Sequence, residues 1–186
     1  MAYATNQSGS WQTTILDDSR VYRGNSIALD SNDNVHIAYA VNHIGSGYSL
    51  NYTNNVNGTW TTTTVESGVD NPHLYRAGNF MVIDSNDNVH IAFKMEPNYN
   101  TDYIKIANNT DGSWAISTVF TGGASYGSSF YGTGSLAPPT LAIDSSDNLH
   151  MTWARGKINA NFPLYYSTNM NKIFIKILFL FFLITN

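Results

Sequence analysis

The sequence predicts an all-β protein built from radially repeated, four-stranded antiparallel units, and three observations predict it. First, Leu29-Asp-Ser-Asn-Asp-Asn-Val-His-Ile-Ala-Tyr39 recurs as Ile83-Asp-Ser-Asn-Asp-Asn-Val-His-Ile-Ala-Phe93 and as Ile143-Asp-Ser-Ser-Asp-Asn-Leu-His-Met-Thr-Trp153, with starts 54 and then 60 residues apart. Repetition at such a period marks stacked supersecondary units. Second, Leu50-Asn-Tyr-Thr-Asn-Asn-Val-Asn-Gly-Thr-Trp60 aligns without gaps on Ile104-Lys-Ile-Ala-Asn-Asn-Thr-Asp-Gly-Ser-Trp114, and Tyr3-Ala-Thr-Asn-Gln-Ser-Gly-Ser-Trp11 opens the chain in the same pattern. Third, only 12% of the 186 residues are charged, while turn-forming Asn, Ser, Thr and Gly abound. That composition suits short strands joined by many turns.

Each unit can be justified strand by strand. Strand A is the short apolar segment before each aspartate: Ser26-Ile-Ala-Leu-Asp30, Phe80-Met-Val-Ile-Asp84 and Thr140-Leu-Ala-Ile-Asp144. Asp and Asn then supply a turn, because their side chains bond nearby backbone and tolerate left-handed conformations. A β-branched and aromatic run follows as strand B, giving a β-hairpin. Strands C and D form a second hairpin around Asn57-Gly58 and Asp111-Gly112, dipeptides suited to a turn whose central residues want positive φ. Four-stranded units repeated radially are the blades of a β-propeller. Packing on both faces explains A strands that are apolar throughout rather than alternating. A β-sandwich would not repeat its sequence, and a solenoid repeat would be shorter.

The expected organisation is a partial propeller over 1–170 of about three and a half blades. It comprises a C–D half-blade at 2–16, full blades at 26–66 and 79–120, and a further blade at 140–170. Residues 171–186 form an apolar tail in which Lys172 and Phe174 stand where glycine and tryptophan are due. The chain reads as a fragment, and its tail as an out-of-frame artefact in preference to a divergent outer strand. The apolar run from Ile173 to Ile184 is shorter than the roughly 20 residues of a spanning helix, so a membrane partner is not expected. Ring closure would need further blades or another copy of the chain.

Composition narrows the partners. Net charge is −4 and the nine basic residues form no run, so no nucleic-acid partner is expected. There is no cysteine, which excludes disulfides and leaves the redox compartment open. No basic stretch followed by an apolar run marks a signal peptide at the N-terminus.

The hairpins Tyr52-Thr-Asn-Asn-Val-Asn-Gly-Thr-Trp60 and Ala107-Asn-Asn-Thr-Asp-Gly-Ser-Trp114 resemble the Asp-box, or bacterial neuraminidase (BNR), repeat, whose pattern is Ser-x-Asp-x-Gly-x-Thr-Trp. The glycine here is shifted by one place and Asn often replaces Asp. The resemblance implies a propeller hairpin, an extracellular or cell-surface setting, and carbohydrate as a theme. It does not choose a chemistry, because Asp-box propellers include sialidases, polysaccharide lyases and lectin-like proteins.

Among candidate sites, the repeated His36, His90 and His150 read as structural, bonding a turn or a neighbouring strand. They lie on separate blades, beyond the bond lengths of a shared metal site. No cofactor is expected. Calcium is the one cation suggested, by alternating oxygens in Asp30-Ser-Asn32-Asp-Asn34, but the following glycine and distal acid of a calcium loop are lacking. Trp11, Trp60 and Trp114 read as inter-blade packing.

Binding residues are expected where the repeats diverge, on the face carrying the B–C and D–A connections at 17–25, 41–48, 66–78, 95–102, 121–139 and 154–163. The candidates there are Tyr22, Arg23, His43, His73, Tyr75, Arg76, Glu96, Tyr131 and Arg155. Tyr22-Arg23-Gly24-Asn25 recurs as Tyr75-Arg76-Ala77-Gly78-Asn79. Its arginines either clamp a carboxylate-bearing sugar or brace adjacent loops. Two function classes follow. One is a glycan-binding or scaffold module without catalysis in this chain. The alternative is a fragment of a sialidase-like hydrolase or polysaccharide lyase acting on anionic polysaccharide, with His43, His73, Tyr75 and Arg76 as candidate participants.

Overall fold

The structure, a computed structural model, describes residues 1–19, 21–43, 47–69, 72–73, 80–98, 101–123, 136–154, 164–169 and 175–179. Among these residues there are fifteen strands and no helix, hence no helix long and apolar enough to cross a membrane. β1 (Ala2–Thr5) and β2 (Gln12–Ile15) form an antiparallel pair. Blade one is β3 (Val21–Leu29), β4 (Val35–His43), β5 (Gly47–Asn54) and β6 (Thr61–Val69) in chain order. In blade two the strand A position is divided. β7 (Pro72–His73) and β8 (Met81–Ile83) both pair with β9 (Val89–Asn98), and β10 (Thr101–Asn108) and β11 (Ala115–Gly123) complete the sheet. Blade three is β12 (Thr140–Ile143), β13 (Leu149–Ala154), β14 (Leu164–Thr168) and β15 (Ile175–Phe179). β15 thus lies at the strand D position.

The turns form as their residues dictate. The Asp30 carboxylate accepts the backbone N–H groups of Asn32 and Asn34 at 2.9 and 2.8 Å, closing an Asx-type turn. Asp84 and Asp144 repeat both contacts. Asp33, Asp87 and Asp147 each take a left-handed conformation, with φ of 62°, 62° and 60°. At the C–D hairpin, Asn55 accepts the Val35 N–H at 2.7 Å, and Asn109 accepts that of Val89 at 2.7 Å. The two hairpins of a blade are therefore tied at one end by an asparagine side chain.

Among the described residues the sheets stack face to face as blades of a β-propeller, an open arc that does not close into a ring. Blade one meets blade two through Ala38, Ala40, Leu50 and Tyr52 against Met81, Ile91 and Phe93. Blade two meets blade three through Val82, Ala92, Ile104 and Ile106 against Leu141, Met151, Trp153 and Tyr165. The β1–β2 pair packs on blade one through Met1, Tyr3 and Leu16. Trp60 lies 5.2 Å from Tyr3, and Trp114 lies edge-on 5.1 Å from Tyr52, so each tryptophan packs on the tyrosine of the preceding unit. Trp11, in the same repeat position, is exposed.

Two expectations need correction. The segments 41–48 and 95–102 are not long loops: the ladders continue until His43 pairs with Gly47 and Asn98 pairs with Thr101. Backbone pairing carries the strands past the apolar run, because every N–H and C=O needs a partner whatever its side chain. Nor are the A strands covered throughout, since Ile27 and Leu29 are exposed on blade one.

Candidate functional site

The three-copy turn places a chain of hydrogen bonds at one end of each blade. In blade one, Tyr52 Oη lies 2.6 Å from His36 Nδ1, and His36 Nε2 lies 3.2 Å from Asp30 Oδ2. Burial, with the nearby Asp30 charge, pushes the Tyr52 hydroxyl up to about 12, so it stays protonated despite a bond with Asn54. With Asp30 ionised, Nε2–H donates to its carboxylate, and in the neutral imidazole the Tyr52 hydroxyl then donates to Nδ1. For Asp30, burial acts upward, but the Asn34 side chain and backbone, His36 and the Asn32 backbone outweigh it and hold the carboxyl at about 2. Blade three repeats the chain, with His150 2.6 Å from Tyr166 and 3.2 Å from Asp144. In blade two His90 keeps its aspartate at 3.0 Å, but Ile106 stands where the tyrosine would be.

Neighbouring turns are joined across the blade boundary. The Ser31 N–H and hydroxyl donate to the Asp87 carboxylate at 2.8 and 2.7 Å. Ser85 does the same to Asp147 at 2.9 and 2.5 Å. The left-handed aspartate thus serves as an acceptor for the preceding blade.

Between these joined turns a cleft of about 380 Å³ opens on blades one and two. Asp30, Asn34, His36, Tyr52 and Asn57 line it from blade one, and Asp87 and Asn109 from blade two. Its size falls in the range of about 300–1,000 Å³ usual for small-molecule sites. Among the described residues lining it there is no lysine or arginine, and Val56 is the aliphatic member. Asn109 commits its side-chain oxygen to Val89 N–H, which leaves its amide nitrogen as the donor towards the cleft. Asp30 already accepts from Asn32, Asn34 and His36, so it orders the wall rather than offering a free carboxylate. The arrangement suits a neutral, hydroxyl-rich ligand. Among the described residues no group of three or more His, Asp or Glu side chains is placed to hold a metal ion.

The residues expected from sequence fall elsewhere. Tyr22 pairs through its backbone with Ala40, and Arg23 lies in the adjoining β-bulge next to Gly24, whose φ is +92°. His43 ends β4 and its Nε2 lies 2.9 Å from Ser49 Oγ, which bonds Asn51 Oδ1. His73 pairs through its backbone with Lys94, and Glu96 lies in β9. All five sit at the ends of the blades opposite the Asp–His–Tyr turns. Tyr75, Arg76, Tyr131 and Arg155 lie outside the described residues. A buried pair not anticipated from sequence also stands at that end: Lys94 Nζ is 3.4 Å from Asp102 Oδ2, which accepts the Leu136 N–H at 2.8 Å.

No protein-family model matches the chain, and no curated protein matches it by sequence. Among solved structures it is similar to an endo-arabinase from Bacteroides thetaiotaomicron, with a TM-score of 0.57 at 11% identity. The match covers 89% of this chain and 66% of that one, so the chain spans just under two thirds of its length. A fucose lectin from Kordia zhangzhouensis, solved with methyl-fucoside, aligns at a TM-score of 0.45 and 15% identity, over 77% of this chain and 91% of that one. At these identities the endo-arabinase likeness is one of fold.

Proposed function

We propose that this propeller arc is a glycan-binding module without catalysis of its own, holding a neutral sugar in the cleft between blades one and two. The observation that carries the reading is the cleft itself: a small-molecule-sized opening walled by Asn, His, Tyr and turn Asp side chains, pre-ordered by their mutual hydrogen bonds. Amide and hydroxyl groups in fixed positions match the alternating donors and acceptors of sugar hydroxyls. A carboxylate-bearing sugar fits less well beside Asp30 and Asp87. On this reading the hairpins at Gly58 and Gly112 are corners that resemble the Asp-box, and the module works outside the cell or at its surface.

A glycan array followed by calorimetric titration tests the proposal. Neutral glycans are expected to bind, with Asn109→Ala and Asn57→Ala each weakening the hit about three- to tenfold, the scale of one lost hydrogen bond. Changing Arg23 and Arg76 together to alanine should leave that binding unchanged. No neutral glycan bound by the folded chain, or binding indifferent to the cleft substitutions, would overturn the assignment. Binding of anionic glycans lost with the two arginines would move the site to Arg23, at the opposite end of blade one.

A further inference from the structure

We propose that Asn57 is a self-modification site: its side-chain amide cyclises onto the Gly58 nitrogen, and hydrolysis of the ring leaves a carboxylate on the wall of the cleft. Asn57-Gly58 is the only Asn-Gly pair in the chain. Glycine has no Cβ to shield its backbone nitrogen, so this pair is the one most open to intramolecular attack. Local structure leaves the reaction room. Asn57 and Gly58 are both exposed, and a Cβ at Gly58 would meet nothing within 4 Å. Asn34, Asn55 and Asn109 commit their side chains to turn hydrogen bonds, whereas that of Asn57 makes none among the described residues. What opposes the attack is the backbone bond from Gly58 N–H to the Asn55 carbonyl, at 2.8 Å. It lies at a solvent-exposed hairpin tip, where such bonds open most readily.

The step needs only water. Hydroxide takes the Gly58 amide proton, the nitrogen attacks Asn57 Cγ, and the side-chain nitrogen takes a proton from water and leaves as ammonia. Water then opens the succinimide ring, giving aspartate by attack at one carbonyl and isoaspartate by attack at the other. Blade two shows that the aspartate product fits the turn. Asp111-Gly112 stands at the same position, with a glycine φ of +77° against +74° and the same backbone bond at 2.9 Å. Either product replaces an amide, which donates and accepts, with a carboxylate, which only accepts. It also adds an acidic side chain to a wall that already holds Asp30 and Asp87. On the reading of the cleft as a glycan site, conversion is an irreversible loss of affinity. A ligand oxygen bonded by the Asn57 amide loses its donor and meets a negative charge instead.

The test incubates the whole folded chain at mildly alkaline pH and maps it by digestion and mass spectrometry. Asn57 is expected to convert first, at a rate rising with hydroxide. Asn25, which precedes the small Ser26 but pairs with Tyr39 in the β3–β4 ladder, should stay an amide. Asn57→Gln, which would have to close a larger ring, should remain unconverted over the same time. The inference fails if the folded chain keeps its Asn57 amide long after a peptide of residues 51–61 has converted, or if another asparagine converts first. Asn57→Asp reproduces one product for binding. Its circular dichroism should match the parent, and the glycan bound by the parent should bind it about tenfold or more weakly, below Asn57→Ala as well. Equal affinity of Asn57→Asp and the parent would overturn the loss of affinity. A parent that binds no glycan refutes the reading of the cleft instead, and the mass result then decides the modification by itself.

Discussion

At the scale of single residues, the repeated aspartate does more than close a turn. Asp30 receives two backbone N–H groups, the Asn34 amide and His36, all of which favour the ionised carboxylate. Asp84 and Asp144 are held down too: for Asp84 burial opposes the shift but its hydrogen bonds prevail, and for Asp144 the bonds from Asn148 lead. A folded-state pKa below the unfolded value of about 3.9 means stability present above that value and lost as pH falls through the folded one. For Asp30 the folded value is about 2. The thermal midpoint should therefore fall with acidification from about pH 4 towards pH 2, and Asp30→Asn should make that fall less steep while lowering stability at neutral pH. A midpoint unchanged down to pH 2 would show that these carboxylates titrate no differently in the unfolded chain. The histidine beside each aspartate is read as structural for the same geometric reason: its ring nitrogens reach the turn and, in blades one and three, a tyrosine of the same blade, not another histidine.

At the scale of the hairpin, the glycine of the C–D turn was readable from sequence, but the turn differs from the expected one. Gly58 and Gly112 take positive φ whereas Asn57 and Asp111 do not, and the Gly58 and Gly112 N–H groups bond the carbonyls of Asn55 and Asn109, so the turn spans one residue more than Asn-Gly alone implies. Gly58 and Gly112 have φ of +74° and +77°, and a Cβ at either would meet nothing within 4 Å. Any penalty for substitution is thus conformational rather than steric. Gly112→Ala should cost about 1–2 kcal/mol, and Gly112→Asn clearly less, because asparagine tolerates the left-handed region. Chemical denaturation of the two variants measures the difference; equal losses would point to a steric or packing cause instead. The bulges were readable only in part. Gly24, a glycine inside a strand pattern with φ of +92°, was a signal for the bulge at Tyr22–Asn25, whereas nothing around Ile104/Lys105 announces the extra residue, and connections expected to be long proved to be paired strand up to His43 and Asn98. Hydrophobic pattern marks where a strand is buried, whereas hydrogen bonding decides where it stops.

At the scale of the molecule, the blades were legible because each repeat carries its own turns and strands, while the cleft was not, because it exists only between repeats. Ser31 and Asp87 are 56 residues apart, and only stacking makes them neighbours. The buried ion pair illustrates the same point and supports a sharper expectation. Lys94 occupies the position held by Ala40 and Ala154 in the other copies, a lysine inside an apolar strand, and that break in the pattern was a readable signal. It is 3% exposed, its partner Asp102 0%, and Asp102 also anchors the Leu136 backbone where residues leading into blade three pack. Removing one member of a buried ion pair costs about 3–5 kcal/mol, while replacing both with apolar side chains is often neutral. Lys94→Ala should therefore be severely destabilising, and Lys94→Met combined with Asp102→Leu should recover much of the loss, unless the Leu136 contact dominates. Denaturant titration of the single and double variants separates the cases. If the double variant is as unstable as Lys94→Ala, Asp102 matters as a backbone anchor between blades two and three rather than as the lysine's counter-charge.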